Sequence, residues 1–130
     1  MKKISDNSNI KASPCSKEAE EAVLGAILLD ANVYDRVVPW IKKDTAFYFK
    51  DNEFIWKSIK ALNNDREPID LVTVSNKVKE LFPKEKLSYI ITVLTDNVPT
   101  SANVEQHTRI VWEKYVQREA IKASHILYKK

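Results

Sequence analysis

The chain has 130 residues, of which 44% are hydrophobic and 30% charged, so it has the length and composition of one soluble globular domain. Its 21 basic and 18 acidic residues are mixed along the sequence and give a net charge of +3, which offers little support for nucleic-acid binding. One glycine and five prolines argue against an all-β fold, because such folds need many tight turns.

The N-terminal region does not have the pattern of a secretory signal. Residues 1–13 are polar, and no apolar segment follows the two lysines, so they do not form a secretory signal. We expect a flexible N-terminal arm there. Cys15 is the only cysteine, which excludes an internal disulfide and favours a reducing compartment. No run approaches the roughly 18 apolar residues that a membrane span needs, so we expect a cytoplasmic protein.

The only glycine lies inside the strongest helical pattern, EEAVLGAILLD, at residues 20–30. Ser16 is placed to cap this helix, and apolar residues follow at the spacing of one buried face. A glycine in a helix interior costs roughly 1 kcal/mol relative to alanine. Gly25 is therefore predicted to mark a helix crossing, where a second helix approaches almost backbone to backbone. The alternative is a tolerated glycine without such a role.

The middle of the chain predicts short elements and then a helix. Residues 33–41 have helical potential that Pro39 interrupts, and the adjacent aromatics at 47–49 suggest a short turn that plugs the core. Asp51 or Asn52 is the expected cap of the next helix, whose buried face recurs at steps of four and three residues: Ile55, Ile59 and Leu62.

Residues 69–74, IDLVTV, are ambiguous between strand and helix. The β-branched residues favour a strand, but Asp70 is a good N-cap and apolar residues continue at helical spacing to Leu81. We predict a helix that Pro83 ends. A further amphipathic helix is expected around residues 87–94.

From about Ser101 to Lys130 the sequence contains neither proline nor glycine, which predicts one helix of up to about 30 residues, longer than the usual 8–20. Tyr115 shares one side with Val104 and Val111, whereas the later part presents Val116, Ala120, Ala123 and Leu127. Ile121 lies elsewhere around the axis. The remaining chain is too short to cover this helix, so its outer turns are expected to pack on a partner. The alternative is a frayed, solvated end. The predicted fold class is all-α, with a head at residues 14–99 and an extending helix at 100–130.

The sequence predicts no catalytic, cofactor-binding or metal site. A phosphate-binding loop and a dinucleotide-binding turn both need more glycines than the chain has. His107 and His125 have no neighbouring cysteine or histidine at metal-ligand spacing. One alternative function remains open, a stand-alone DNA-binding module, and its candidate lysines are Lys42, Lys43, Lys57, Lys60, Lys129 and Lys130.

An ordered set of motifs resembles one family, the N-terminal domain of DnaB-type bacterial replicative helicases. The motifs are AEEAVLGAIL at 19–28, FY at 47–48, EPIDLVTV at 67–74, SYI at 88–90, VPTSAN at 98–103 and RIV at 109–111. The chain departs from the family pattern in its loops: Arg66 and Lys86 stand near positions where the family often has glycine, and residues 45–46 interrupt an Asp-Phe-Tyr motif. These changes concern loop shape more than fold.

The resemblance implies a helical scaffold without an enzymatic site of its own. In the family this domain forms the collar of a hexameric ring, as a trimer of dimers, and receives the C-terminal domain of DnaG-type primase. The long helix would be the first arm of a helical hairpin. ATP, Mg²⁺ and DNA strand separation belong to a motor domain that this chain lacks, so DNA contact is expected only indirectly. The resemblance implies primase contacts at Tyr89, Ile121 and Leu127, although Tyr89 could equally belong to the core. Tyr115 and Val116 are further candidates for a partner or oligomer contact. A second alternative is the helicase-binding domain of the primase itself, whose helical head and hairpin are similar.

Overall fold

The computed structural model describes residues 13–96 and 101–129, and within these ranges it contains helices and no β-strand, which confirms the all-α prediction. We number the α-helices α1 Lys17–Leu29, α2 Tyr34–Val37, α3 Lys50–Asn64, α4 Leu71–Leu81, α5 Ser88–Asp96 and α6 Val104–Lys129. Short 3-10 helices lie at Ala31–Val33, Asp44–Ala46 and Ser101–Asn103. Apart from Ser13, the N-terminal arm lies outside the described residues.

Helix α1 is the centre of the fold, because α3, α4, α5 and α6 all pack against it. It begins after Ser16, whose Oγ accepts a hydrogen bond from the Ala19 amide at 3.1 Å, as the sequence predicts. Gly25 is buried on this helix, and its φ is not positive, so a left-handed turn is not the reason for the glycine. Its proposed role at a helix crossing stays a prediction.

The predicted cap of the next helix is wrong. Helix α3 begins at Lys50, and its N-cap is Phe49, which makes no side-chain cap hydrogen bond. Asp51 and Asn52 both lie inside the helix, and Asn52 is buried. Glu20 on α1 accepts hydrogen bonds from the Tyr48 and Phe49 amides, which lie just before the helix rather than in its first turn.

The aromatic turn plugs the core with one ring. Phe47 is fully buried and lies 5.3 Å from Trp56, and Trp56 in turn stacks on Tyr34 at 5.7 Å between ring centroids. Tyr48 is 42% exposed, so the three adjacent aromatics do not share one environment. The 3-10 turn itself is Asp44–Ala46, and Phe47 follows it in extended conformation.

The ambiguous segment at residues 69–74 opens a helix, as predicted. Asp70 is the N-cap of α4: its carboxylate accepts from the Thr73 amide at 2.9 Å, and the Thr73 hydroxyl accepts from the Asp70 amide at 2.9 Å. This reciprocal capping box satisfies two backbone donors at the helix start. The helix ends at Leu81, two residues before Pro83.

Arg66 adopts a left-handed conformation, with φ 58°, where α3 ends. Its amide donates to the Asn63 carbonyl at 3.0 Å, and the Glu67 amide donates to the Leu62 carbonyl at 2.9 Å. These two bonds form a Schellman motif, whose left-handed position favours glycine because a Cβ is strained there.

Replacing Arg66 with glycine is therefore expected to raise the free energy of unfolding by about 1 kcal/mol, since the strain at an exposed position is relieved. Chemical denaturation of the two proteins measures the change. Arg66→Ala is the matched control, because alanine keeps the Cβ and should leave stability close to wild type. Equal stability of the glycine and alanine variants would contradict the interpretation.

Candidate partner-binding surface on the last helix

Helix α6 is anchored to the head along its first half. Val104, Thr108 and Val111 are buried, and Glu105 near its start forms a two-bond ion pair with Arg36 on α2, at 2.7 and 2.6 Å. Each partner lowers the energy of the other's charged form, so the pKa of Glu105 is lowered and that of Arg36 is raised. The first half of α6 thus has a defined position on the head.

The second half of α6 is exposed to solvent. Every residue from 119 to 128 is exposed, and these include Ile121 at 45%, Leu127 at 73% and Tyr128 at 93% exposure. Val116 is 48% exposed just before them. A helix normally draws most of its stability from tertiary packing, so such a length of exposed apolar helix is unusual for an isolated domain.

The exposed apolar residues lie on two different faces of α6. Val116, Ala120, Ala123 and Leu127 follow one another at steps of four, three and four residues, which places them on one face. We call this face the distal stripe. Arg118, Ile121 and His125 follow at steps of three and four and lie on roughly the opposite side, because two residues turn a helix by about 200°.

The second face forms one wall of a groove of about 740 Å³. Helix α6 contributes Arg118, Ile121, Lys122 and His125 to this groove. The opposite walls are formed by Pro14, the turn around Thr45, Phe47 and Tyr48, and by Lys50 and Glu53 at the start of α3. Glu53, the carboxylate of this set, is buried and already pairs with Lys50 and Lys57 at 3.2 Å. Lys122 also pairs with Glu119 at 3.2 Å, so the groove combines apolar walls with a small excess of positive charge.

The predicted contact residues occupy different environments. Val116 and Leu127 belong to the distal stripe, and Ile121 to the groove. Tyr115 is only partly buried and packs against the core, with its ring 4.9 Å from that of Trp112. The backbone of Tyr89 belongs to α5, but its side chain is not among those the structure describes. Their roles as contacts stay predictions.

Among the residues of α6 up to position 128, Arg118 is the last buried one, with 8% of its surface exposed. Its Nη1 donates to the Pro14 carbonyl at 2.9 Å, and its Nη2 donates to the carbonyls of Thr45 at 3.0 Å and Ala46 at 3.1 Å. The guanidinium also lies 5.1 Å from the centre of the Tyr48 ring. One side chain of α6 thus bonds two separate segments of the head.

Glu20 is buried beside this arrangement, with 1% exposure. It accepts from the Tyr48 amide at 2.8 Å, the Phe49 amide at 3.4 Å and the Asn52 side-chain amide at 3.0 Å. Burial raises the pKa of Glu20, although these three hydrogen bonds and the charge of Arg118 act in the opposite direction. Glu20 joins α1 to the start of α3.

The lysines of the DNA-binding alternative are partly neutralised. Lys57 pairs with Glu53 at 3.2 Å and Lys60 pairs with Asp44 at 2.7 Å. Lys42 and Lys43 are exposed.

Where the structure describes the chain, it shows no group of three or more metal-ligating side chains and no helix long and apolar enough to cross a membrane.

The family model of the DnaB-like helicase N-terminal domain matches residues 12–113. The chain belongs to this family. The N-terminal domain of DnaB helicase from Mycobacterium tuberculosis has a similar fold, with a TM-score of 0.83, 27% identity and coverage of 91% of this chain and 83% of that one. The resemblance inferred from the motifs is thereby confirmed.

Full-length relatives of this DnaB-family chain are named replicative DNA helicases. The one from Geobacillus stearothermophilus is 40% identical over 117 residues, which cover 85% of this chain and 25% of the relative. The one from Bacillus subtilis is 32% identical over 123 residues, which cover 93% and 27%. The one from Synechocystis is 31% identical over 114 residues, which cover 86% and 13%. The chain thus spans about a quarter or less of the length of these relatives.

The buried roles of two residues of this DnaB-family domain were not predicted from the sequence, although the helical spacing contained a signal for both. Arg118 lies seven residues after Val111 and three after Tyr115, which places it on the core face of α6. Glu20 lies three and seven residues before Val23 and Ile27, on the buried face of α1. A charged residue on a buried face indicates a polar network in the core.

Proposed function

We propose that this chain is the collar domain of a replicative DNA helicase, which assembles through α6 and docks a DnaG-type primase. The observation that carries the proposal is the exposed apolar surface of the second half of α6, with Leu127 at 73% and Ile121 at 45% exposure. Burying such surface on a partner is favourable by roughly 25 cal/mol per Å².

The two faces of α6 suit two kinds of contact. The distal stripe has alanines at positions 120 and 123 between Val116 and Leu127, which lets another helix pack closely, and we assign it to self-association into the hexameric collar. The groove at Ile121 has apolar walls and excess positive charge, and we assign it to the primase, through a segment that presents apolar and acidic side chains. Tyr89 is proposed as a further primase contact only because it matches a contact position of the family.

In this proposal the chain has no enzymatic activity of its own. ATP hydrolysis, the Mg²⁺ that it requires and DNA strand separation would belong to a motor domain elsewhere in the helicase, and DNA would be contacted only through the full-length protein. The proposed location is the cytoplasm, where replication proteins of this class act.

Calorimetry with the C-terminal domain of a DnaG-type primase tests the docking proposal. Ile121→Asp is expected to weaken binding at least about tenfold, because it places a carboxylate in an apolar contact. Val72→Asp is the matched control, since Val72 is 66% exposed on α4, away from the groove, and its change should leave binding intact. Absence of primase binding by the wild-type chain, or equal loss in both variants, would overturn the assignment.

Binding measurements with a helicase collar and with DNA separate the two alternatives from the docking proposal. If the chain is instead the helicase-binding domain of a primase, it will bind a helicase collar and ignore the primase fragment. If it is a DNA-binding module, it will bind DNA at low salt and lose affinity steeply as the salt concentration rises. The ion pairs of Lys57 and Lys60 make the DNA alternative the weaker one.

A further inference from the structure

Helix α6 changes abruptly from a packed to an exposed helix at Arg118. The buried residues of its first part end with this arginine, and residues 119–128 are all exposed. No side chain beyond this point can therefore hold the described second half in place from within the core. Whatever fixes the direction of the exposed half must act at or before Arg118.

The contacts of Arg118 are suited to fixing a direction. Its two terminal nitrogens bond carbonyls in two chain segments, Pro14 before α1 and Thr45 and Ala46 in the 3-10 turn, at 2.9 to 3.1 Å. Bonds to two separate segments restrain rotation as well as translation of the helix. The Tyr48 and Tyr115 rings lie 5.1 and 5.7 Å from the guanidinium carbon and confine its plane.

We propose that Arg118 is the positioning residue that holds the exposed half of α6 at a fixed angle to the head. The planar guanidinium is needed for this, because it presents donors to several carbonyls at once in a rigid geometry. A lysine would keep the positive charge but not the fixed arrangement of donors. Arg118 thereby also sets the width of the groove, since it forms part of one wall while Pro14 and Thr45 form the other.

Distance measurements between spin labels test the proposal directly. One label is placed at Lys79→Cys on α4 and the other at Ser124→Cys on the exposed half of α6, with Cys15→Ser to remove the native thiol. The labelled protein is diluted with unlabelled protein, so that only distances within one molecule contribute. The wild-type distribution is expected to be narrow and single.

Arg118→Met is expected to widen the distance distribution about twofold, because the exposed half then loses its last restraint. Arg118→Lys should also widen it, which distinguishes the shape of the guanidinium from its charge and provides a second variant if the methionine protein does not fold. Val111→Ala is the control for stability alone: it truncates a buried residue of the same helix and should leave the distribution narrow. A narrow distribution in Arg118→Lys, or equal widening in Val111→Ala, would overturn the proposal.

A consequence for assembly rests on the proposed function. With the distal stripe intact, Arg118→Lys should still weaken self-association about tenfold, because the stripe no longer has a fixed orientation. If the wild-type chain does not self-associate, the proposed function fails, whereas the spin-label distances still test the role of Arg118. If wild type and Arg118→Lys associate equally although the distance distribution widens, the orientation of the exposed half of α6 does not control assembly.

Discussion

Replacing Glu20 with alanine is expected to lower the free energy of unfolding by about 3 kcal/mol, since each buried hydrogen-bonding group left without a partner costs about 1–3 kcal/mol. Three donors lose their acceptor in this variant: the amides of Tyr48 and Phe49 and the side chain of Asn52. The loss falls at the start of α3, which has no side-chain cap of its own.

Thermal and chemical denaturation measure this change, and the midpoint temperature should fall by about 10 °C for a chain of this size. Glu21→Ala is the matched control. Glu21 is the next residue, is only partly buried and reaches Lys17 at 4.0 Å, so its loss should cost less than about 0.5 kcal/mol. Similar losses in the two variants would show that the buried carboxylate does not organise the start of α3.

Introducing glutamates at Val116 and Leu127 is expected to weaken self-association about a hundredfold, because each places a charge in the apolar stripe that we assign to the subunit contact. Both side chains are well exposed in the single chain, at 48% and 73%. The fold of the monomer should therefore be unchanged, with the same helical circular dichroism as wild type.

The control for this experiment adds the same two charges to the same half of α6 without touching the stripe. Gln117→Glu with Ser124→Glu does so at exposed polar positions. This pair should associate like wild type. Equal weakening by the two double variants would point to charge repulsion in general and would remove the assignment of the distal stripe.

The elements of the fold could largely be predicted from the sequence, because helix caps and the spacing of apolar residues indicated the same helices. Residues 69–74 show this most clearly. Their β-branched composition favours a strand, but Asp70 and Thr73 form a capping box, and the apolar residues continue at helical spacing. The cap and the spacing together outweigh the intrinsic propensity of single residues.

The errors arise where a distant residue replaces a local one. Asp51 and Asn52 are good caps by residue type, but α3 already begins at Lys50, and Glu20, about 30 residues earlier, accepts hydrogen bonds from the Tyr48 and Phe49 amides just before it. Pairings across the fold of this kind cannot be read from a single sequence.

The candidate surface was predicted in part. The length of α6 and its lack of cover follow from the absence of helix breakers after Ser101 and from the small size of the head. The groove beside it depends on where the turn around Thr45 lies, and Arg118, whose role was not predicted, bonds to that turn. The spacing places Arg118 on the core face, but only the structure gives its partners.

Sedimentation equilibrium of the unmodified chain, from micromolar to millimolar concentration, tests the central claim most directly. If the exposed half of α6 is a subunit contact, the average mass will rise with concentration from that of one 15.0 kDa chain to at least twice that value. A mass that stays at 15.0 kDa throughout this range would contradict the account, because the apolar surface of α6 would then remain in water without a partner.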